Sequence, residues 1–268
     1  MSARTLTCKT LTCVVTAVED LNPDVFGVTL EGRVEAMQHA PGQYLELKLD
    51  DDTWVPFSIA SFDRGDGIIE LHIQHWPERE NSVRLRDLLQ VANQLTVRLP
   101  SGECVLDTES ERPLLLIAAG TGFAQMKAIV EAALSKQPGR LISLWWANRE
   151  HRDLYAEDLA CEWAIQYPNV AFQAVTEFPL TEPLAAGERI SHHQGRIDLV
   201  LESDLETGLE TGLETGLETG LATSPSDCDI YLSGSPGMVY ACVDALERKG
   251  LSSKRMFSDV FAYAPRPN

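Results

Sequence analysis

The sequence predicts a two-domain protein in which an antiparallel β-domain precedes an α/β domain built on a parallel sheet. The first part of the chain contains short runs rich in β-branched and aromatic residues, whereas apolar strand candidates alternate with helical patterns after residue 110. The change falls in the charged and polar stretch 107–112, as expected of a domain junction. Because 268 residues are enough for two cores, we predict domains at 1–109 and 110–268.

Each strand candidate of the first domain is bounded by turn-forming residues, such as Asn22 with Pro23 and Pro41 with Gly42. The candidates are 5–18, 25–30, 44–49, 55–61, 68–73 and 95–99. Six short strands at this spacing indicate an antiparallel barrel or a sandwich.

The second domain shows the alternation of strands and helices that is typical of a parallel sheet wrapped by helices. The predicted strands are 114–119, 141–147, 170–175 and 230–233, and the predicted helices are 123–135, 153–166 and 236–248. The first of these strands is apolar throughout and ends at Gly120, Thr121 and Gly122, where a helix begins. Such a turn can direct backbone N–H groups at a phosphate, although by itself it is equally the mark of a tight strand-to-helix connection.

Several short motifs occur in an order that resembles the ferredoxin–NADP reductase superfamily, and within it the bacterial NAD(P)H:flavin reductases. They are PGQY at 41–44, WVPFSIAS at 54–61, LIAAGTGF at 116–123, WWANRE at 145–150 with DLY at 153–155, IYLSGSPGM at 230–238 and FSDVFAY at 257–263. The resemblance implies a six-stranded antiparallel β-barrel that binds flavin, followed by an NAD(P)-binding α/β domain. It also implies hydride transfer from NADH or NADPH to FAD, FMN or riboflavin.

On the flavin side, the resemblance implies that the Ser58 hydroxyl hydrogen-bonds flavin N5 and is the catalytic group. Pro56 fixes the turn, and Phe57 offers a ring to the isoalloxazine. The same resemblance adds further flavin-binding positions, at Ile59, Tyr44 and Ser82. The alternative is that Phe57 belongs to the barrel core and Ser58 faces solvent.

The position before Pro56 departs from the family, which usually has an arginine there that meets flavin phosphate or ribityl oxygens. Val55 occupies it in this chain, so a charge-assisted contact of roughly 1.5–3 kcal/mol is missing. We therefore expect a flavin that binds and leaves as a substrate, unless Arg84 or Arg86 supplies the phosphate contact. The alternative for both arginines is a solvated helix face.

On the nucleotide side, the resemblance implies two turns at the carboxyl ends of neighbouring strands. The implied binding residues are Gly120, Thr121, Gly122 and Phe123 in the first turn, and Gly234, Ser235 and Pro236 in the second. Many relatives have a cysteine before the second turn, where this chain has Ser233.

Two further positions come from the resemblance. Arg149 matches a position near the adenosine half of the nucleotide, and Phe261 lies in a C-terminal segment placed near the flavin ring. The aromatic residues of 257–263 alternate with small ones, which predicts a final strand. The preference between NADH and NADPH stays open.

Composition limits the other functions. The formal net charge of −18, from 22 basic and 40 acidic residues, disfavours nucleic acid and anionic membrane surfaces as partners. The six cysteines lack the spacing of a zinc or iron–sulfur site, so no metal is expected. The polar N-terminus and the absence of a long apolar run predict a cytoplasmic protein.

Three functions compete. The first is a free-standing flavin reductase whose product serves a flavin-dependent monooxygenase or a ferric acceptor. The second is a FAD-containing reductase component that passes electrons to a ferredoxin or an oxygenase, against which Val55 and the lack of an attached ferredoxin module argue mildly. The third is a non-catalytic module that senses flavin or nucleotide.

A tandem LETG repeat runs from Leu205 to Gly220. Because an internal glycine costs a helix about 1 kcal/mol, we expect a low-complexity loop insertion at about 204–224. Deletion of 204–222 is then expected to leave activity and melting temperature nearly unchanged.

Overall fold

The structure is a computed structural model that describes residues 7–211 and 228–266. The chain divides into two compact units. The first comprises the described residues up to Leu106 together with Lys127–Ala132, and the second comprises Asp107–Met126 and the described residues from Ala133 onward. The predicted domain limits at 109 and 110 stay a prediction.

The first unit is an antiparallel six-stranded sheet. Its strands are β1 (Lys9–Asn22), β2 (Val25–Glu31), β3 (Tyr44–Lys48), β4 (Trp54–Ser58), β5 (Ile68–Gln74) and β6 (Gln94–Ser101), with helix α1 (Glu80–Val91) before β6. The strand order is β4-β3-β6-β1-β2-β5. A bridge between Ile59 and Leu71 and a 2.7 Å hydrogen bond from Ala60 N to Glu70 O join the two edges, so the sheet closes into a barrel.

The barrel forms because apolar side chains alternate along its strands and meet on one face. Val28, Leu30, Leu45, Leu47 and Val97 are among the residues with no exposed surface in this core. The predicted antiparallel six-stranded fold is confirmed, and residues 5 and 6 of the first predicted strand lie outside the described residues.

The second unit is a parallel six-stranded sheet with helices. Its strands are β7 (Leu114–Ala119), β8 (Ile142–Asn148), β9 (Val170–Thr176), β10 (Ile190–Gln194), β11 (Asp229–Ser233) and β12 (Met256–Phe257). Its helices are α2 (Phe123–Lys136), α3 (Glu157–Gln166), α4 (Ile197–Thr211), α5 (Pro236–Arg248) and α6 (Val260–Tyr263). The strand order is β10-β9-β8-β7-β11-β12, so β8 to β10 lie on one side of β7 while β11 and β12 lie on the other. Ligands of open α/β sheets bind at such a switch point in strand order.

Two expectations for this unit are wrong. The final segment is a strand only at Met256–Phe257, because residues 260–263 form one turn of helix that buries Val260 in the core. The repeat begins inside α4 and not in a loop, since the helix extends to Thr211.

The helical start of the repeat has a packing cause. Leu201 and Leu205 lie one turn apart on α4 and are 0% and 3% exposed in the core, so tertiary packing outweighs the cost of Gly208. Deleting 204–222 would remove the Leu205 side chain from the core, which argues against a neutral deletion. Residues 212–224 of the predicted insertion lie outside the described residues.

Candidate functional site

The predicted flavin segment includes strand β4, next to the point where the barrel closes onto β5. Ser58 pairs with Tyr44 and Phe57 pairs with Leu45 in the antiparallel register. Because paired residues share a face and neighbours alternate, Ser58 and Tyr44 lie on one face while Phe57 shares the face of the core residue Leu45. Ser58, Tyr44 and Phe57 are all half-buried, and Pro56 is exposed. The structure therefore brings Ser58, Tyr44 and Pro56 to an accessible face, with the Phe57 ring packed partly against the core behind them.

Two other predicted flavin residues lie elsewhere. Ile59 is fully buried in the barrel core, so its side chain packs, and its backbone N–H donates to Gln43 O at 3.0 Å. Ser82 lies in the first turn of α1, where its Oγ accepts from Trp76 N at 2.8 Å and lies 3.4 Å from Nδ1 of His75. A flavin role for either residue stays a prediction.

The cations proposed to replace the missing arginine are engaged in ion pairs. Arg84 Nη2 lies 2.7 Å from Asp50 Oδ2, and Arg86 pairs with Asp20 while its guanidinium covers the Phe26 ring. The pKa of Asp50 is held at about 2, chiefly by the hydrogen bond from Arg84.

Arg98, which was not identified from the sequence, lies on the same face of the sheet as Ser58. Arg98 on β6 pairs with Glu46 in the sheet register, and Glu46 in turn pairs with Pro56. Arg98 Nη2 donates to Glu46 Oε1 at 2.8 Å, and its guanidinium lies 4.4 Å from the centre of the Trp54 ring. No local signal identifies Arg98, because the register of two distant strands places it there.

The two predicted nucleotide turns lie side by side at the switch point of the parallel sheet. Ala118 of β7 pairs with Ser233 of β11, so the turns that follow these strands are neighbours. A Cβ at Gly122 would lie 2.2 Å from Ser233 O, and one at Gly234 would lie 3.3 Å from Ala119 Cβ. The close approach of the two turns therefore requires glycine at position 122 and leaves little room for a side chain at position 234.

The second turn leads directly into helix α5. Ser235 is its N-cap, with Oγ accepting from Met238 N at 3.3 Å, and Pro236 is the first helical residue. Backbone N–H groups at such a helix start favour an anion, so this turn suits a pyrophosphate.

The first turn is open at Gly120. Gly120 has φ +54°, and a Cβ on it would meet no atom within 4 Å. Trp146 Nε1 donates to Gly120 O at 2.9 Å and fixes the turn. Among the described residues, Nδ2 of Asn148 is buried at the end of β8 without a hydrogen-bond partner. A polar ligand bound at this glycine turn could accept a hydrogen bond from this unpaired N–H donor.

The remaining predicted residues divide between packing and exposure. Phe123 is fully buried, with its ring centre 4.1 Å from that of Trp146, so its side chain supports the turn. Arg149 is exposed, and its guanidinium lies 5.7 Å from the centre of the Phe178 ring. Phe261 is half-buried on α6 and packs against the core of the second unit. Thr121 is half-buried within the first turn.

These two sites coincide with two known domain families. Residues 12–105 match the oxidoreductase FAD-binding domain, and residues 116–244 match the oxidoreductase NAD-binding domain. The chain therefore carries an oxidoreductase FAD-binding domain followed by an oxidoreductase NAD-binding domain, which is the domain pair of the ferredoxin–NADP reductase family. The resemblance seen in the sequence is thereby confirmed, and the protein is an oxidoreductase that uses a nicotinamide nucleotide and a flavin.

Similar proteins include both free reductases and parts of larger systems. An NAD(P)H-flavin reductase of Vibrio harveyi is 28% identical over 260 residues, which are 95% of this chain and 99% of that protein. Reductase component 1 of terephthalate 1,2-dioxygenase from a Comamonas species is 27% identical over 84% of this chain and 60% of its own length. The crystal structure of a cytochrome P450 reductase from Amycolatopsis superposes with a TM-score of 0.75 at 25% identity, over 94% of this chain and 69% of that one.

The described residues meet the requirements neither for a membrane-spanning helix nor for a metal site. No described helix is long and apolar enough to cross a bilayer. Within 7–211 and 228–266, no group of three or more His, Cys, Asp and Glu side chains could hold a metal ion.

Proposed function

We propose that the protein is an NAD(P)H:flavin oxidoreductase that takes riboflavin, FMN or FAD as an exchangeable substrate and releases it reduced. The observation that carries this proposal is Val55, which stands where the family usually has a phosphate-binding arginine. Arg84, Arg86 and Arg98 are each paired with a carboxylate, which supports a flavin site without a dedicated phosphate anchor. A flavin held without a phosphate anchor exchanges more readily with solution.

The flavin and the nucleotide would be bound by different residues. The Ser58 hydroxyl would donate a hydrogen bond to flavin N5, the atom that receives the hydride, and Tyr44 on the same face would limit the position of the ring. Phe57 supports the segment from the core side. Gly120, Gly122 and the start of α5 hold the phosphates of NADH or NADPH, which supplies the hydride.

The predicted domain assignment also belongs to this proposal. Residues 1–109 would hold the flavin and residues 110–268 the nicotinamide nucleotide. The family matches at 12–105 and 116–244 support this division. Reduced flavin would then serve a flavin-dependent monooxygenase or reduce a ferric complex.

A second function is favoured by the oxygenase relatives, whose reductase component matches over 84% of this chain. In that case FAD would remain bound, and electrons would pass to a ferredoxin or oxygenase partner.

One set of measurements separates these functions. The purified protein is examined for a flavin spectrum, and NADH and NADPH oxidation is followed with and without added riboflavin, FMN or FAD. We expect nearly colourless protein whose turnover requires added flavin. Yellow protein that retains FAD on gel filtration and needs a protein acceptor would support the second function. No oxidation under any condition would exclude both and leave the sensing module.

A further inference from the structure

A charge cluster with a buried lysine and a buried histidine lies next to the flavin segment within the first compact unit. It consists of Lys127, Glu70, Glu131 and His72. Lys127 is 7% exposed and His72 is 6% exposed, so both are held away from water. Burying a charge costs free energy unless its donors and acceptors are paired, so the contacts of the Lys127 ammonium decide whether it can be buried here.

The ammonium of Lys127 is fully engaged. Its Nζ lies 2.7 Å from Glu70 Oε2, 2.9 Å from Glu131 Oε1 and 3.1 Å from the carbonyl oxygen of Ala60. These contacts account for all the N–H donors that a lysine side chain has. On the far side of the carboxylate, His72 Nε2 lies 2.8 Å from Glu70 Oε1.

The same cluster fixes the chain immediately after Ser58. Ala60 N donates to Glu70 O at 2.7 Å, and Glu70 N donates to Ser61 Oγ at 3.1 Å. Lys127 closes this arrangement, because it binds both the Ala60 carbonyl and the Glu70 carboxylate. The chain at Ala60 and Ser61 is therefore held to Glu70 of β5 by a main-chain hydrogen bond, by the Ser61 hydroxyl and by the Lys127 ammonium.

We propose that Lys127 is a positioning residue for flavin binding, which holds the 58–61 segment so that the Ser58 hydroxyl is presented at a fixed place. This inference rests on the proposed function, since it concerns the same flavin site. Lys127 is buried, and its Nζ contacts Ala60, Glu70 and Glu131. Its effect passes through the Ala60 carbonyl, and a hydroxyl that drifts by an ångström loses most of a directional hydrogen bond.

The chain offers a matched control for the loss of a cation. Arg64 Nη2 pairs with the other carboxylate oxygen of Glu131 at 3.2 Å, yet its side chain is 58% exposed. Arg64→Met therefore removes a cation from the same cluster while the Lys127 contact to Ala60 remains. Lys127→Arg keeps the positive charge at this position. The double variant Glu70→Gln, Lys127→Met removes the contact to the Ala60 carbonyl and leaves no unpaired carboxylate at position 70.

The test measures flavin binding directly as well as turnover. Dissociation constants for riboflavin are taken from fluorescence quenching, and KM values for riboflavin and NADH are measured in each variant, with melting temperature as the check on folding. We expect the double variant to bind riboflavin about tenfold more weakly or worse, with the KM for NADH within about twofold of wild type. Lys127→Arg should recover part of the loss, and Arg64→Met should match wild type.

Three outcomes would contradict these proposals. Wild-type riboflavin affinity in a folded double variant would overturn the positioning role while leaving the proposed function intact. An equal loss for riboflavin and NADH, in proportion to a lowered melting temperature, would show a general structural role and overturn it as well. Absence of riboflavin binding and of NADH oxidation in the wild type would overturn the proposed function, and this inference with it.

Discussion

Replacing Ser58 by alanine tests the predicted chemistry most directly. The side chain is half-buried on β4, opposite Tyr44, so removing one oxygen should leave the fold intact. Loss of one hydrogen bond to a group whose charge changes in the reaction is worth about 1.5–3 kcal/mol, which corresponds to a reduction in kcat of about tenfold to a hundredfold.

The assay is steady-state NADH oxidation at saturating riboflavin, with stopped-flow single turnovers to isolate hydride transfer. Ser101 provides a matched control, because it is the other strand neighbour of Tyr44 and pairs with it from β6. Ser101→Ala should keep the wild-type single-turnover rate. If Ser58→Ala also keeps that rate, the hydrogen bond to N5 plays no part in the transfer and the assignment of Ser58 is refuted.

The remaining predictions concern the nucleotide turn, the phosphate anchor, the repeat and the charge cluster. Gly122→Ala should raise the KM for NADH more than about tenfold, because the new Cβ would lie 2.2 Å from a backbone oxygen of the neighbouring turn, whereas Gly139→Ala meets no atom within 4 Å and should be neutral in the same assay. Val55→Arg should tighten FAD binding about tenfold in fluorescence titrations and should tighten riboflavin binding less, because riboflavin offers ribityl oxygens but no phosphate. Leu205→Ala should lower the free energy of unfolding in urea by about 2–5 kcal/mol, since that side chain is 3% exposed in the core, and a neutral result would contradict the packing of α4. For Glu70, burial acts to raise the pKa, but the hydrogen bond from His72 and the charge of Lys127 outweigh it and hold the pKa at about 2, against 4.5 ordinarily. The stabilisation by this carboxylate is therefore complete above pH 4.5 and is lost as the pH falls toward 2, so Glu70→Gln should be destabilised at neutral pH and show a weaker loss of stability over that acid range.

Local pattern was sufficient for most of the secondary structure. The predicted strand 114–119 agrees with Leu114–Ala119, and the predicted helix 236–248 agrees with Pro236–Arg248, because both have strong periodicity and clear turn residues at their ends. Patterns failed where tertiary contacts compete with local preference. The repeat after Leu205 is helical as far as Thr211 although its glycine disfavours a helix, and the C-terminal aromatic segment turns into α6.

The candidate site shows the same limit. The sequence identified Phe123 as a binding residue, but only the folded chain shows its ring enclosed against Trp146. It gave no sign that Asn148 would have a buried, unpaired amide nitrogen. Burial and hydrogen-bond satisfaction depend on neighbours far along the chain, so no local window contains them.

The amino-acid sequence alone determined the order of a β-domain and an α/β domain, the glycines at the two turns and the Pro56-Phe57-Ser58 segment, because these depend on local conformational preference and residue chemistry. Only the tertiary structure decided that β7 lies beside β11, which brings the two turns together, and that Lys127 reaches the Ala60 carbonyl. Strand order and long-range ion pairs arise from packing between segments that are distant in the chain, and such contacts carry no periodic signature in the sequence.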